Sequence, residues 1–285
     1  MPAVRLPAVA GQFYAADGRE LARQVEACFT DPRGPGELPV RHRAPDRRLA
    51  AAVVPHAGLP YSGAIAAHVY ERIAREKAPP TVVVLGVDHY GASQRPALSA
   101  VPWGTPLGPV PVDTELVRLL SGGPFAVDEG AHAREHSIEV QLPFLQYVLP
   151  QPRIVPLEVP FGPLSGLEAV GRALAQAVAD RDVLLLASTD FSHYVPAEEA
   201  RRLDRRAIDA ILAREPDRLY RTVVGERISM CGIAPTTVLL AALRGRAVAA
   251  TLLRWGHSGE VAPMKEVVGY AAIALETEPA ARPVK

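Results

Sequence analysis

The amino-acid sequence predicts a layered α/β fold, in which helices cover both faces of a mixed, largely parallel central sheet. Three apolar runs, at 49–54, 81–86 and 183–187, end in polar or ionisable residues, as strands buried in parallel sheets do. Helical patterns lie between these runs. Because the composition shows no break along the chain, we expect a single domain over residues 1–285.

The first predicted helix covers residues 17–29. Leu21, Val25 and Cys28 recur there at helical spacing, and Asp17 can cap the start of the helix. Cys28 lies on the apolar face of this helix, so we expect it to be a small core residue.

The remaining elements follow from the same two patterns. Apolar runs bounded by Pro, Gly or charged residues predict strands, and apolar residues at three- and four-residue spacing predict helices. The stretch "VPWGTPLGPVPVD" fits neither pattern and is expected to be irregular. In chain order, the predicted elements are strand 49–54, helix 63–76, strand 81–86, helix 114–120, a helix within 131–149, strand 153–159, helix 165–180, strand 183–187, helices 196–213 and 233–244, and strands 248–254 and 266–275.

A histidine follows each of the three apolar runs. His56 comes after the first run, His89 after the second and His193 after the third, where Asp190 also lies. Ligands bind outside the carboxyl ends of the strands in open α/β sheets, so we expect these side chains to share one site. Histidine is also tolerated at loop ends, but three repeats of the pattern favour a functional site.

The segment 131–149 adds a fourth histidine to the candidate site. Its apolar spacing predicts a helix that begins near Glu135, and Glu135 and Glu139 suit the positive end of the helix dipole. A cation is disfavoured there, so His136 is better explained as a neutral imidazole directed into a cleft. His132 is expected on the surface of a loop.

Cys231 lies just before the predicted helix 233–244. A helix dipole would lower the pKa of such a thiol and make it a candidate ligand or nucleophile. The alternative, a small buried residue near a turn, stays open. Two histidines and one cysteine would leave an open position on a metal ion, and nitrogen and sulfur ligands suit zinc, iron(II) or copper. Asp190 and His193 could then support the ligands or act as an acid–base pair.

Composition narrows the classes of partner. Lys plus Arg and Asp plus Glu both number 31, so no basic surface predicts binding to nucleic acid or to an anionic membrane. No run approaches the roughly 18 apolar residues of a membrane span, and the start lacks the core of a signal peptide. With two cysteines far apart in sequence, we expect a cytoplasmic protein without disulfides.

Five motifs resemble those of the Memo family, whose bacterial and archaeal members are called AmmeMemoRadiSam system protein B. They are "PHAGLPYSG", "LGVDHY", "EHSIEVQLPF", "STDFSHY" and "MCGIAP", in this order, and the resemblance covers nearly the whole chain. It implies a fold similar to class III extradiol dioxygenases, with a metal site at the strand ends. It also implies a functional link to a radical SAM protein and to an AMMECR1-like protein.

The resemblance further implies that His56, His89 and Cys231 hold one transition-metal ion. We expect iron(II), with copper or zinc as alternatives. The catalytic residues are expected to be Asp190, His193 and His136. The motif "GVDH" departs from the family in having Asp88 in place of a small polar residue, and this carboxylate could raise the basicity of His89 or become a ligand itself.

Three functions remain open at this point. The first, which we favour, is a metal-dependent oxidoreductase in which His193 moves a proton and Asp190 orients the ring of His193. The second is a zinc hydrolase with His193 or His136 as the base. The third is a module that binds a peptide or another ligand without turnover. The substrate, a small molecule or a peptide, is not identified by the sequence.

Overall fold

Strands and helices alternate along the chain in a computed structural model that describes residues 4–40 and 44–278. The strands are β1 (Leu49–Val54), β2 (Thr81–Val87), β3 (Ala97–Leu98), β4 (Trp103–Thr105), β5 (Gly108–Val110), β6 (Ala126–Val127), β7 (Ile154–Val159), β8 (Val183–Ser188), β9 (His193–Val195), β10 (Val248–His257) and β11 (Val267–Thr277). The helices are α1 (Gly18–Thr30), α2 (Leu59–Arg75), α3 (Thr114–Leu120), α4 (Glu129–His132), α5 (Leu142–Val148), α6 (Leu164–Ala177), α7 (Ala197–Leu212), α8 (Pro216–Gly225) and α9 (Ile233–Ala242), with single-turn 3₁₀ helices at Glu139–Gln141 and Ser258–Glu260.

The central sheet is mixed, with a parallel middle. Its order is β10-β11-β1-β8-β2-β7-β3-β6, and β9 pairs with β11. β1, β8, β2 and β7 run parallel to their neighbours in this set, whereas β11 is antiparallel to β1 and β3 is antiparallel to β7. Every residue of β1, β2 and β7 is buried, as the continuous apolar runs predict. The predicted fold class is confirmed.

Helices pack on the sheet in two separate groups. In the first group, α2 contacts β1, β10 and β11 and packs against α1 and α5. In the second group, α9 contacts β8, β2 and β7 and packs against α6 and α8. The two groups therefore cover the two faces of the sheet. Cys28 is buried in the core on α1, which confirms its expected role. No helix within residues 4–40 and 44–278 combines the length and the apolar character that crossing a membrane requires.

Several short elements escaped prediction. The stretch expected to be irregular contains β4 and β5, which form a three-residue antiparallel pair. Two or three residues carry too little alternation for a periodic pattern to appear. α8 was missed as well, although Pro216 stands at its start, where proline is favoured.

The predicted helix within 131–149 is wrong in its first half. The segment is helical in α4, leaves helical geometry at 133–137, and returns to helix only through the 3₁₀ turn and α5. The carboxylate of Glu135 accepts hydrogen bonds from the backbone N–H groups of His136 and Ser137, so this side chain holds the chain in a turn. His132 is fully buried, not at a loop surface, and its Nε2–H donates to the carbonyl of Ala97 at 3.2 Å.

Arg5 fastens this turn to the N-terminal segment. Its buried guanidinium donates to the carboxylate of Glu139 and to the backbone carbonyls of His132 and Glu135. The guanidinium also lies 4.2 Å from the ring centroid of Trp103. The charge on Glu139 therefore serves a buried ion pair and not only the dipole of a helix start.

Asp204 similarly fixes the chain after β8. It lies on α7, is fully buried, and accepts hydrogen bonds from the N–H and hydroxyl of Ser192 and from the indole N–H of Trp255. The outer face of the same helix is basic. Its exposed arginines are Arg201, Arg202, Arg205 and Arg206.

Glu158 on β7 gives the stability of the protein a pH dependence. Burial, together with the charges of Glu135 and Asp88, raises the pKa of this carboxyl to about 9. Burial lowers the pKa of His132 to about 4. A protonated Glu158 thus faces a neutral His132, whose Nδ1 lies 3.5 Å from Glu158 Oε2.

We expect Glu158→Gln to make the protein more stable than wild type as the pH rises. The folded state keeps the Glu158 proton up to about pH 9, whereas the unfolded chain loses it near its ordinary pKa of 4.5. The stability that protonation provides is complete below the unfolded pKa and is lost as the pH rises towards the folded pKa. Urea denaturation should show the difference in free energy of unfolding growing by about 1.4 kcal/mol per pH unit between these values.

The matched control is Glu198→Gln, at an exposed position on α7. Its stability curve should run parallel to that of the wild type across the same pH range. If Glu158→Gln also ran parallel to the wild type, Glu158 would be ionised in the folded protein, and this account of its burial would be wrong.

Candidate metal centre

Three histidines meet at the carboxyl edge of the parallel strands. His56 follows β1, His89 follows β2, and His136 lies in the turn before the 3₁₀ helix. Each offers one ring nitrogen, and these atoms lie within 4.8 Å of one another. Nitrogens that share one ion at about 2.1 Å lie up to about 4 Å apart, so small ring movements would complete the coordination. The three histidines are a candidate metal-binding cluster.

Hydrogen bonds fix the tautomer of His56. Ser188 at the end of β8 donates its only hydroxyl proton to the carbonyl of Ser137 at 2.6 Å and accepts the side-chain amide of Gln141 at 2.8 Å. His56 Nδ1, 3.0 Å from the Ser188 hydroxyl oxygen, must therefore be the donor in that contact. Nε2 of His56 keeps its lone pair for a ligand bond. Tyr70 anchors the chain of bonds by donating to Gln141 Oε1 at 2.6 Å.

His89 is held by a buried carboxylate. Its Nδ1–H donates to Glu135 at 3.0 Å, and its backbone N–H donates to the other oxygen of the same group at 3.0 Å. Nε2 of His89 is therefore the nitrogen left for coordination. A carboxylate behind a ligating histidine fixes the ring and raises its basicity, which is the usual support of a metal ligand.

Glu135 remains ionised although it is fully buried. Burial alone would raise its pKa, but the hydrogen bond and charge of His89, the N–H of Ser137 and the charge of His136 hold the pKa well below its usual range. His136 Nδ1 lies 3.6 Å from Glu135 Oε1. One fixed negative charge therefore lies behind the cluster, where it would offset part of the charge of a bound cation.

His56, which is buried, and His136, which is half-buried, both favour the neutral ring. Burial holds the pKa of His56 well below its usual range, and the repulsion between a protonated His56 and a protonated His136 or His89 lowers it further. Burial also lowers the pKa of His136, against the opposing charge of Glu135. A neutral imidazole is the form that binds metal, so no proton has to be displaced from these two rings.

Cys231 lies beside the cluster. Its Sγ is 3.3 Å from His56 Nε2 and accepts the backbone N–H of Asp190 at 3.2 Å. The group of mutually close ligand atoms, as far as the described residues go, contains His136 and not Cys231. Burial and the charge of Asp190 raise the pKa of the thiol, opposite to the lowering expected from the helix start alone.

Asp190 organises the turn that carries His56. Its Oδ1 accepts the backbone N–H groups of His56 at 2.8 Å and of Ala57 at 3.3 Å. Burial raises the pKa of Asp190 to about 6, and these two hydrogen bonds oppose the rise. The hydrogen bonds of Asp190 hold the ligand loop and not His193, contrary to the role expected from the sequence.

His193 is instead oriented by the backbone. Its Nδ1 lies 2.7 Å from the carbonyl of Phe191 and 2.8 Å from the carbonyl of Ser229, so this nitrogen carries the proton. Its Nε2 is therefore an acceptor. His193 lines the same cleft as the three clustered histidines, but it is not among the mutually close ligand atoms.

A cleft of about 400 Å³ lies over the cluster. Its outer wall is aromatic, with Phe13, Tyr61 and Tyr194, and no lysine or arginine of the described residues lines it. Tyr194 adopts a left-handed backbone conformation with φ of 58°, which is uncommon for an aromatic residue, and its side chain is exposed. The cleft can admit a small molecule to the face of the cluster.

The sequence did not predict which polar side chains support the histidines. Asp88, expected to affect His89, accepts the backbone N–H groups of Ala92 and Ser93 and shapes the turn after β2. The carboxylate that contacts His89 is Glu135, which the sequence assigned to a helix dipole. A polar residue such as Gln141 inside the apolar run "IEVQLPF" was the available signal for a buried hydrogen-bond network.

Comparison with known proteins gives one family for nearly the whole chain. A family model described as Memo-like protein matches residues 5–274. A MEMO1 family protein of Methanopyrus kandleri is 42% identical over 277 residues, covering 94% of this chain and 98% of the relative. A MEMO1 family protein of Ignicoccus hospitalis is 42% identical over 282 residues, covering 95% of this chain and 98% of the relative. An uncharacterised protein of Escherichia coli K12 shares the fold, with a TM-score of 0.55 at 17% identity over 79% of this chain and 99% of that structure.

Proposed function

Because this chain belongs to the Memo family, we propose that it is a metal-dependent oxidoreductase whose ion is held by His56, His89 and His136. The single observation that carries the proposal is the convergence of three imidazole nitrogens within 4.8 Å beneath an open cleft. The hydrogen bonds of His56 and His89 leave Nε2 of each ring free for coordination. Imidazole ligands suit iron, copper and zinc, and we propose iron(II).

Cys231 is proposed as a further ligand on the side of His56. Its Sγ already lies 3.3 Å from His56 Nε2, at the edge of the cluster. Burial raises the pKa of the free thiol, so the thiolate forms only when a cation replaces its proton. A thiolate ligand favours iron or copper and provides the reason to prefer redox chemistry.

His193 is proposed to transfer protons. Two backbone carbonyls hold its Nδ1–H, so its Nε2 accepts a proton from, or returns one to, a molecule in the cleft. A bound iron or copper ion would supply one-electron chemistry to that molecule. Phe13 and Tyr61 are proposed to exclude water from one side of the cleft.

A zinc hydrolase is the second candidate. Three imidazoles with an open position form a typical catalytic zinc site, and His193 would serve as the base.

The substrate is proposed to be a small molecule or a peptide end that fits a cleft of about 400 Å³. The link to a radical SAM protein and an AMMECR1-like protein stays a prediction, as does the absence of binding to nucleic acid.

Elemental analysis tests this proposal on protein purified anaerobically without a histidine tag. We expect close to one iron or copper per chain, and a bound ion that dithionite reduces and dioxygen reoxidises, followed by absorption and electron paramagnetic resonance. Stoichiometric zinc would favour the hydrolase. If no metal were bound, even after incubation with iron(II), copper or zinc, the metal assignment would be wrong and a binding cleft would remain.

A further inference from the structure

A second cleft, of about 500 Å³, opens at the opposite edge of the sheet. It lies where β1 and β8 begin and where α6 and α9 end, so the six-residue length of each strand separates it from the metal centre by roughly 20 Å. Among the residues that the structure describes, five cationic side chains and one anionic side chain line it. They are Arg47, Arg48, Arg181, Arg244, Arg246 and Asp182.

Arg47 has a side-chain donor that no group within residues 4–40 and 44–278 accepts. Only 11% of its side chain is exposed, and its Nη2 donates to Asp182 and to the carbonyl of Val183. Its Nη1 is buried and has no hydrogen-bond partner within the described part of the chain. A buried guanidinium nitrogen without an acceptor is costly, so this atom calls for an acceptor from outside the described residues.

Arg246 provides an unpaired cation beside the ion pair of Arg47 and Asp182. Burial lowers the pKa of Arg47, and the charges of Asp182 and Glu76 oppose this. The nearby charge of Arg246 lowers the pKa further, so the two guanidinium groups repel each other. Arg246 is exposed, and its side chain makes no hydrogen bond or ion pair that we find among residues 4–40 and 44–278. An anion between these two groups would relieve the repulsion and fill the free donors.

The other arginines of the cleft already have partners, and Arg48 donates to the backbone carbonyl of Thr277 at 3.2 Å. Arg181 contacts Glu115 at 2.8 Å and Arg244 contacts Glu168 at 2.7 Å, and both lie near helix ends, where cations balance the dipole. Helix ends do not account for Arg47, which precedes a strand and is held inward by Asp182. The free donors of Arg47 and Arg246 therefore set the ligand chemistry.

We propose that this cleft binds the phosphate group of a small molecule. Guanidinium groups match phosphate oxygens in geometry and charge, and a phosphate carries enough negative charge for two arginines. A volume of about 500 Å³ accommodates a ligand of nucleotide size, while Ala175 and Val178 offer an apolar wall beside the arginines. The site is independent of the metal centre and of the function proposed for it.

Isothermal titration calorimetry at low ionic strength tests the proposal with three probes: orthophosphate, pyrophosphate and ADP. We expect saturable binding of one equivalent, weakened about tenfold by Arg246→Gln, since a charge-assisted hydrogen bond is lost. The matched control is Arg205→Gln, an exposed arginine on α7 that is paired with Asp209. Tighter binding of ADP than of pyrophosphate would identify a nucleotide, and equal binding would identify inorganic phosphate groups.

Two results would overturn the proposal. One is the lack of saturable binding of all three probes at millimolar concentration. The other is an equal loss of affinity in Arg246→Gln and Arg205→Gln, which would mean that only the overall charge matters. The metal content of Arg246→Gln should equal that of wild type, so a failure at this cleft is distinguishable from a failure of the metal centre.

Discussion

Replacing His136 with alanine is expected to leave the protein without a tightly bound metal ion. The ring nitrogen of His136 lies within 4.8 Å of those of His56 and His89, so the substitution removes one of three donors from the cluster. Loss of an outer partner of a ligand typically lowers metal affinity 10- to 100-fold, and we expect the loss of a ligand to exceed about 100-fold. Elemental analysis and competition titration with a chromophoric chelator measure the effect.

Two histidine variants serve as controls for this prediction. His193→Ala removes a ring from the same cleft that is not among the mutually close ligand atoms, so the metal should be retained while proton transfer is lost. His257→Ala removes a histidine at the end of β10, outside the cluster, and should change nothing at the metal. Loss of metal in all three variants would point to general destabilisation and not to ligation.

Cys231→Ser decides between the two ligand sets. If the histidine cluster holds the ion and the thiolate adds to it, the serine variant should keep a metal with weaker affinity and with altered absorption. The sequence resemblance implies His56, His89 and Cys231 as ligands. Loss of the metal in Cys231→Ser, together with full retention in His136→Ala, would support that set and would contradict the cluster as the binding unit.

The strand ends made much of this site predictable from sequence. His56 and His89 follow apolar runs directly, and the parallel alignment of β1, β8 and β2 brings their ends to one edge. His193 and Asp190 could be placed near that edge for the same reason. Such an argument depends only on which strands are buried, which an apolar run indicates well.

Two roles were not predictable, because they depend on the turn before the 3₁₀ helix. One is the support that Glu135 gives to His89. The other is the place of His136 among the clustered nitrogens, since the sequence predicted it only as a catalytic imidazole directed into the cleft. Glu135 and His136 reach the site only because the chain bends at 133–137 instead of continuing as a helix. The bend depends on a buried carboxylate that binds two backbone N–H groups, and on contacts with an arginine more than a hundred residues away in sequence. Helical periodicity cannot reveal either contact, since both are non-local or lie outside the repeating pattern.

Arg5→Met is expected to lower the free energy of unfolding by about 3–5 kcal/mol, the usual cost of removing one partner from a buried ion pair. The carboxylate of Glu139 is fully buried, so water cannot compensate its charge once Arg5 is removed. The N–H groups of Ala8 and Val9 and the hydroxyl of Tyr14 would still donate to it, but the compensating charge would be gone. Urea denaturation measures the change, with the exposed Arg23→Met as a control that should shift stability by less than about 0.5 kcal/mol.

The double variant Arg5→Met with Glu139→Gln separates the two roles of Arg5. Removing the unpaired charge should recover part of the lost stability, because a neutral amide costs less to bury than a lone carboxylate. It should not restore the donation from Arg5 to the carbonyl of Glu135, so the turn that carries His136 should stay loosened and metal affinity should stay low. If stability and metal affinity recovered together, Arg5 would act on the site only through the charge of Glu139, and its bonds to the turn would contribute little.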